Sequence, residues 1–330
     1  MKVHKRDLKV SRLISEAINI EMELDEKILL FGEDVGKLGG VFRATQDLQK
    51  TFGETRVIDT PLAEAGIAGT SVAMAMHGLK PVCEMQFMGF VLPAFNQIIA
   101  HAARMRNRTR SHYSCPMVVR MPCGGGIHAP EHHSESTEAW FAHTPGLKVV
   151  MPSTPYDMKG LLLAAIEDPD PVIFLEHKRI YRAVKGEVPE EYYTLPIGKA
   201  EIVREGTDLT IIAWGAMRHL AEKVATNFAE RGVSAEVVDL RTIAPLDIAT
   251  ITSSVNKTGR AVIVHEAVRT CGLGAEISAQ LGERSVFSLR APVERVTGFD
   301  ITMPLPKGEN LFLPNEARLS AAVEKVMTFN

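Results

Sequence analysis

Short apolar runs set between helical stretches constrain this chain more than any other feature. Ile28–Phe31, Val149–Met151 and Val172–Leu175 show no polar alternation, and Val82–Phe87 and Met117–Met121 read as further strands. Strands with this pattern are buried on both faces, which happens when helices cover both sides of a mostly parallel sheet. The intervening segments are helical. Leu13, Ile14, Ala17 and Ile18, for example, recur at helical spacing between residues 8 and 22. The polar stretch from Lys178 to about Thr207, with Gly186, Pro189, Pro196 and Gly198, reads as a linker or long connection. Alternation then resumes with strands at Leu209–Trp214, Ala235–Leu240 and Ala261–His265. Helices are expected at Ala216–Arg231, closed by Gly232, and at Pro314–Met327. At ~150 residues per domain, a chain of this length holds about two. The expectation is an α/β protein of two doubly wound domains, 1–180 and 207–330, joined by 181–206.

Several classes are disfavoured. Hydrophobic residues make up 45% and charged residues 23%, and the net charge is -3, so nothing favours nucleic acid or an anionic membrane. No apolar run approaches the ~20 residues that span a bilayer. The start, Met1–Asp7, is basic but leads into no apolar signal core. Cys83, Cys115, Cys123 and Cys271 form no CxxC pair and none has a His at zinc-ligand spacing. Free thiols on predicted strands point to a reducing compartment. That is the cytoplasm, or the mitochondrial matrix in a eukaryote, although no transit peptide stands out.

The richest segment is Asp59-Thr60-Pro61-Leu62-Ala63-Glu64-Ala65-Gly66-Ile67-Ala68-Gly69. An extended stretch runs into Pro61, which ends a strand, and Glu64 then opens a small-residue helix reaching about His77. In open α/β sheets, ligands bind at such strand ends. Taken alone, Glu64 is an ordinary first-turn acid favoured by the helix dipole, and the small residues behind it are ordinary helix packing. Gly124-Gly125-Gly126 follows the strand at Met117–Met121 and leaves N–H groups free to face an anion or a substrate. His128, His132 and His133 come next. Glu131-His132-His133 lacks helical i, i+4 ligand spacing, and no carboxylate or cysteine motif completes a metal site, so a catalytic or substrate-anchoring histidine fits better than a metal ligand. Arg104, Arg106, Arg108 and Arg110 spread around the end of an expected helix, Pro93–Arg110, as a solvated or interface face. Cys271-Gly272-Leu273-Gly274 lacks the third glycine of a dinucleotide fingerprint, since Ile277 stands there.

In combination and order, Gly32-Glu33-Asp34-Val35-Gly36, Asp59–Glu64, Glu84-Met85-Gln86-Phe87 and His132-His133-Ser134-Glu135-Ser136 resemble a known family. Pro145–Val150 and Asp239-Leu240-Arg241-Thr242 add to the match. The chain resembles the beta subunit of the thiamine-dependent decarboxylating component of 2-oxo acid dehydrogenase complexes, from about residue 8 onward. The resemblance implies a thiamine-diphosphate pyrimidine-binding domain followed by a transketolase C-terminal-like domain. It implies an α2β2 heterotetramer with the cofactor at the α–β interface. There the alpha chain grips the diphosphate and Mg²⁺ through a Gly-Asp-Gly motif. This sequence contains no Gly-Asp dipeptide, so it lacks that half of the site.

By the same resemblance, Glu64 activates the aminopyrimidine ring, Leu62 offers it a backbone carbonyl, and Gln86 and Phe90 line its pocket. His133 sits near the reacting carbon, to bind substrate or assist acyl transfer. Backbone carbonyls around Met117, Val118, Ala165, Asp168 and Asp170 match a monovalent-cation site, often K⁺. The implied reaction decarboxylates a 2-oxo acid and passes the acyl group to a lipoyl-acyltransferase core, which docks on the C-terminal domain near Phe329. Pyruvate is the first choice of substrate, then branched-chain 2-oxo acids, then acetoin. A self-sufficient thiamine enzyme would need the missing diphosphate motif. A noncatalytic α/β binding module would tolerate loss of the Glu64 carboxylate.

Overall fold

A computed structural model describes residues 5–329; residues 1–4 of the basic start, and Asn330, lie outside them. The strands of the first half are β1 (Lys5–Lys9), β2 (Ile28–Gly32), β3 (Val57–Asp59), β4 (Lys80–Glu84), β5 (Val118–Cys123), β6 (Lys148–Val150) and β7 (Val172–His177). Those that follow are β8 (Lys185–Pro189), β9 (Glu201–Arg204), β10 (Leu209–Ala213), β11 (Ala235–Asp239), β12 (Thr242–Ala244), β13 (Ala261–Val264) and β14 (Glu294–Val296).

The first sheet runs β12-β6-β7-β5-β4-β2-β3 and is parallel except at β12. Every residue of β5 and β7 is buried, as expected for strands covered on both faces. Full burial of each Val, Ile or Leu contributes ~1.5–3 kcal/mol. A charge survives in this interior because it is fully paired. Arg120 bonds Glu176 at 2.6 and 2.9 Å and Glu84 at 2.8 Å, and Tyr181 donates to Glu176. Burial still pushes the Glu84 carboxyl up to about 7, against the pull of Arg120.

The second sheet runs β14-β13-β10-β11-β9, parallel except at β9. Two features were invisible in the sequence. The polar stretch 181–206 holds β8, which pairs antiparallel with β1, and β9, which joins the second sheet. Strand β12, reached after β11 of the second sheet, crosses back to edge the first one on β6. Both pairings join residues far apart in sequence, so no local pattern announces them.

Two local expectations need correction. The strand expected at Val82–Phe87 ends at Glu84, where the chain turns out of the sheet toward the site. The helix expected at Pro93–Arg110 is broken. A tight 3₁₀ turn at Met88–Ala94 contains Pro93, a wide turn follows at Gln97–Ala102, and a short helix at Met105–Arg108. Pro93 lacks the N–H a regular helix would use at that place, and the chain tightens around it.

Candidate active site

The strand order places the site. From β2 the chain goes to β3 on one side and then to β4 on the other, a reversal that opens a crevice at the carboxyl ends of the strands. Gly32 is in register with both Asp59 and Glu84, so the residues after β2, β3 and β4 emerge side by side. Cys123 and His177 end β5 and β7 in register on the same edge.

Glu64 begins the helix Glu64–Met76, as expected, and is 8% exposed. The small-residue face of that helix packs on 88–94 and 97–102, with Ala68 and Ser71 buried. Leu62, just before it, is 78% exposed. Glu33, immediately after β2, is buried beside Glu64. Burial first, and the Glu64 charge second, raise the Glu33 carboxyl above its ordinary range.

Gln86 reaches across the same edge, its Nε2 donating to Asp34 Oδ2 at 3.2 Å. Phe90 packs edge-on against Phe87 at 5.7 Å and against His133 at 5.0 Å. Phe87 also meets the His133 ring at 4.5 Å. Burial, and then the nearby Lys178, hold the His133 imidazole below its ordinary pKa, so it is neutral at pH 7. His132 is exposed, and its ring lies 6.3 Å from that of Phe90. The structure thus brings Phe90 and His133 into direct contact, with Phe87 against both and the neighbouring Gln86 turned to Asp34.

The corner expected to hold a monovalent cation is tied by the protein's own charges. Lys148 Nζ contacts both Asp168 oxygens at 2.6 and 2.5 Å, Arg106 Nε meets Asp170 Oδ1 at 2.6 Å, and the Met117 carbonyl accepts from Val172 N–H at 2.9 Å. Val118 starts β5 and Ala165 is buried in the helix Pro155–Glu167. Among the described residues, no group of three or more His, Cys, Asp or Glu side chains could hold a metal ion.

The three-glycine loop departs from expectation. Its N–H groups face the protein's own acceptors: Gly124 donates to the Glu135 carbonyl at 2.9 Å, Gly125 to Glu266 Oε2 at 3.0 Å, and Gly126 to Glu309. Glu266, Glu309 and the buried Lys178 carried no local signal, because their partners lie 45 to 183 positions away. Glu33 could have been found: it directly follows β2, within a quoted motif.

Comparison with known proteins gives this geometry its class. The transketolase pyrimidine binding domain matches residues 6–184 and the transketolase C-terminal domain residues 198–319. Among solved structures, a split gene transketolase described as an inactive beta4 tetramer superimposes with a TM-score of 0.79, covering 98% of this chain and 99% of that one at 22% identity. The fold is therefore that of the thiamine-diphosphate-dependent, transketolase-like proteins. A pyruvate dehydrogenase E1 component subunit beta from Acholeplasma laidlawii is 54% identical, covering 95% of this chain and 96% of that one. Its Bacillus subtilis counterpart is 51% identical and that organism's 2-oxoisovalerate dehydrogenase subunit beta 50%, each covering 96% of this chain and 97% of the relative. The chain belongs to the family of E1 beta subunits of 2-oxo acid dehydrogenase complexes.

Proposed function

We propose that this chain is the beta half of an enzyme that oxidatively decarboxylates a 2-oxo acid, with pyruvate preferred. The observation that carries the reading is Glu64, a nearly buried carboxylate on a helix start at the sheet's reversal point, in a chain with no Gly-Asp motif. The branched-chain reading stands second, supported by the 50% identity to the 2-oxoisovalerate relative.

The residues present fit half of a thiamine diphosphate site. Glu64 lies beside a second carboxyl, Leu62 is exposed, and Phe90 offers an aromatic wall. When bound, the cofactor supplies the carbanion chemistry of decarboxylation. Glu64 would hold the proton at the pyrimidine ring nitrogen, with the Glu33 carboxyl beside it. The Leu62 carbonyl and Gln86 would orient the ring, and Phe90 would pack on it. Neutral His133 is free to accept a proton or donate a hydrogen bond to substrate or to the acceptor of the acyl group. An alpha subunit holds the diphosphate and Mg²⁺ in an α2β2 assembly, and a lipoyl-acyltransferase core receives the acyl group against the second domain near Phe329. The corner at Met117, Val118, Ala165, Asp168 and Asp170 would take K⁺ through backbone oxygens. The pyrimidine-binding unit spans 1–180 and the C-terminal unit 207–330, joined by 181–206. Among the described residues no helix is long and apolar enough to cross a membrane. The complex is assigned to the cytoplasm, or to the matrix in a eukaryote.

The test pairs the chain with its alpha partner and measures 2-oxo acid turnover. Glu64→Gln should lower kcat by more than ~10²-fold, the scale of losing an acid–base group. Retained activity in that variant would remove Glu64 from the mechanism.

A further inference from the structure

The loop 124–136, which carries His133, runs from the end of β5 toward the helix Glu138–Ala142. One bond closes it on itself, from Gly124 N–H to the Glu135 carbonyl. Other anchors come from outside. From the end of β7, buried Lys178 donates to the Gly124 carbonyl at 2.5 Å and to the His133 carbonyl. From the second domain, Glu266 accepts from Gly125 N–H and Glu309 from Gly126 N–H, while His128 Nδ1 meets the Pro306 carbonyl at 3.1 Å.

We propose that Glu266 and Glu309 of the second domain, acting through the Gly125 and Gly126 N–H groups, are positioning residues that set where His133 stands. The proposal rests on the reading of His133 as an active-site group. Both carboxylates are buried, at 5% and 0% exposure, where a hydrogen bond to a charged acceptor is strong and directional. The glycines let the backbone come close enough. A Cβ on Gly125 would press within 2.8 Å of Met303 Cε, and a Cβ on Gly124, whose φ is +76°, would overlap His177. Glu266 is held in turn by His177 at 2.9 Å and Arg179 at 3.8 Å. Burial alone would raise its carboxyl. His177, the Gly125 N–H and Arg179 outweigh that and hold it below the ordinary range, in the charged form that grips the loop. Glu309 starts the short helix Glu309–Phe312, fastened by the apolar cluster Met303, Phe312 and Leu313. The second domain thus reaches the chemistry through the loop backbone, without supplying a group that touches substrate.

The experiment uses the complex with the alpha chain and four variants: Glu309→Leu, Glu309→Gln, Glu266→Leu and Glu266→Gln. Amide hydrogen exchange of peptide 124–136 is read alongside steady-state turnover of the 2-oxo acid. The leucine variants should speed exchange in that peptide by about tenfold or more and lower kcat by about 10- to 100-fold, as expected when a reacting group shifts by an ångström. The glutamines keep an acceptor oxygen but lose the charge, and should fall by about threefold to tenfold, less far than their leucine counterparts. Unchanged exchange in a folded leucine variant would overturn the proposal. So would a glutamine variant that falls as far as its leucine counterpart, or a loosened loop with parental kcat. If Glu309→Leu fails to fold, the Glu266 pair decides alone. A parent complex that turns over no 2-oxo acid would defeat the reading of the site instead, while exchange would still report whether the carboxylates hold the loop.

Discussion

Histidine in this chain is tuned by where it is buried. His133, at the crevice, is held neutral by partial burial and Lys178. His265 lies deeper: it is fully buried, its ring stacks on Trp214 at 5.1 Å, and burial followed by the Arg295 charge holds it down to about 3. The fold therefore binds His265 in its neutral form, whereas the unfolded chain protonates it near 6.5. The stability this contributes is complete above pH ~6.5 and is lost as pH falls toward 3, with a ceiling of about 4–5 kcal/mol at ~1.36 kcal/mol per pKa unit. His265→Phe keeps a stacked ring and removes the proton. Its urea-unfolding free energy, measured from pH 7.5 to 4.5, should decline less steeply than the parent's, by at least about 1 kcal/mol over that range. Parallel slopes would mean that His265 does not drive acid lability. None of this was visible beforehand, since a His-Glu dipeptide does not say whether its imidazole faces water or a tryptophan.

At the scale of elements, the site depends on how closely segments pass. The turn Met88–Ala94 lies under the His132–His133 segment, and a Cβ on Gly89 would overlap the His132 carbonyl oxygen. Gly89→Ala should displace that segment, costing about 1–3 kcal/mol by overpacking and about tenfold or more in kcat through misplaced His133. Thermal unfolding and turnover of the reconstituted complex check the two effects, and a parental kcat would show that the turn does not set the loop. The β2 and β7 strands and the helix opening at Glu64 were legible in the sequence because each carries its own apolar run or boundary residue. The broken helix after Phe87 was not. Its apolar and basic residues suit a helix; Pro93 removes an N–H inside it, and the segment packs against the helix Glu64–Met76 and the His133 loop as separate short turns.

At the scale of the whole molecule, the chain is built to be completed. It offers the pyrimidine end of a cofactor site and no Gly-Asp motif for the diphosphate. Calorimetric titration of thiamine diphosphate and Mg²⁺ into the chain alone should therefore show little or no binding, and titration into the complex with the alpha chain should show stoichiometric binding. Tight binding to the isolated chain would instead mark a self-sufficient thiamine enzyme. The sequence by itself determined two parallel α/β units, the acid at the start of the helix after β3, and the candidate histidine, because strand burial and helix starts are written in neighbouring residues. Only the tertiary structure decided that β12 edges the first sheet, that Glu33 stands beside Glu64, and that carboxylates from the second domain occupy the glycine loop. Those partners are set by packing and charge between segments far apart in the chain, and no local pattern records which distant group will satisfy a buried N–H.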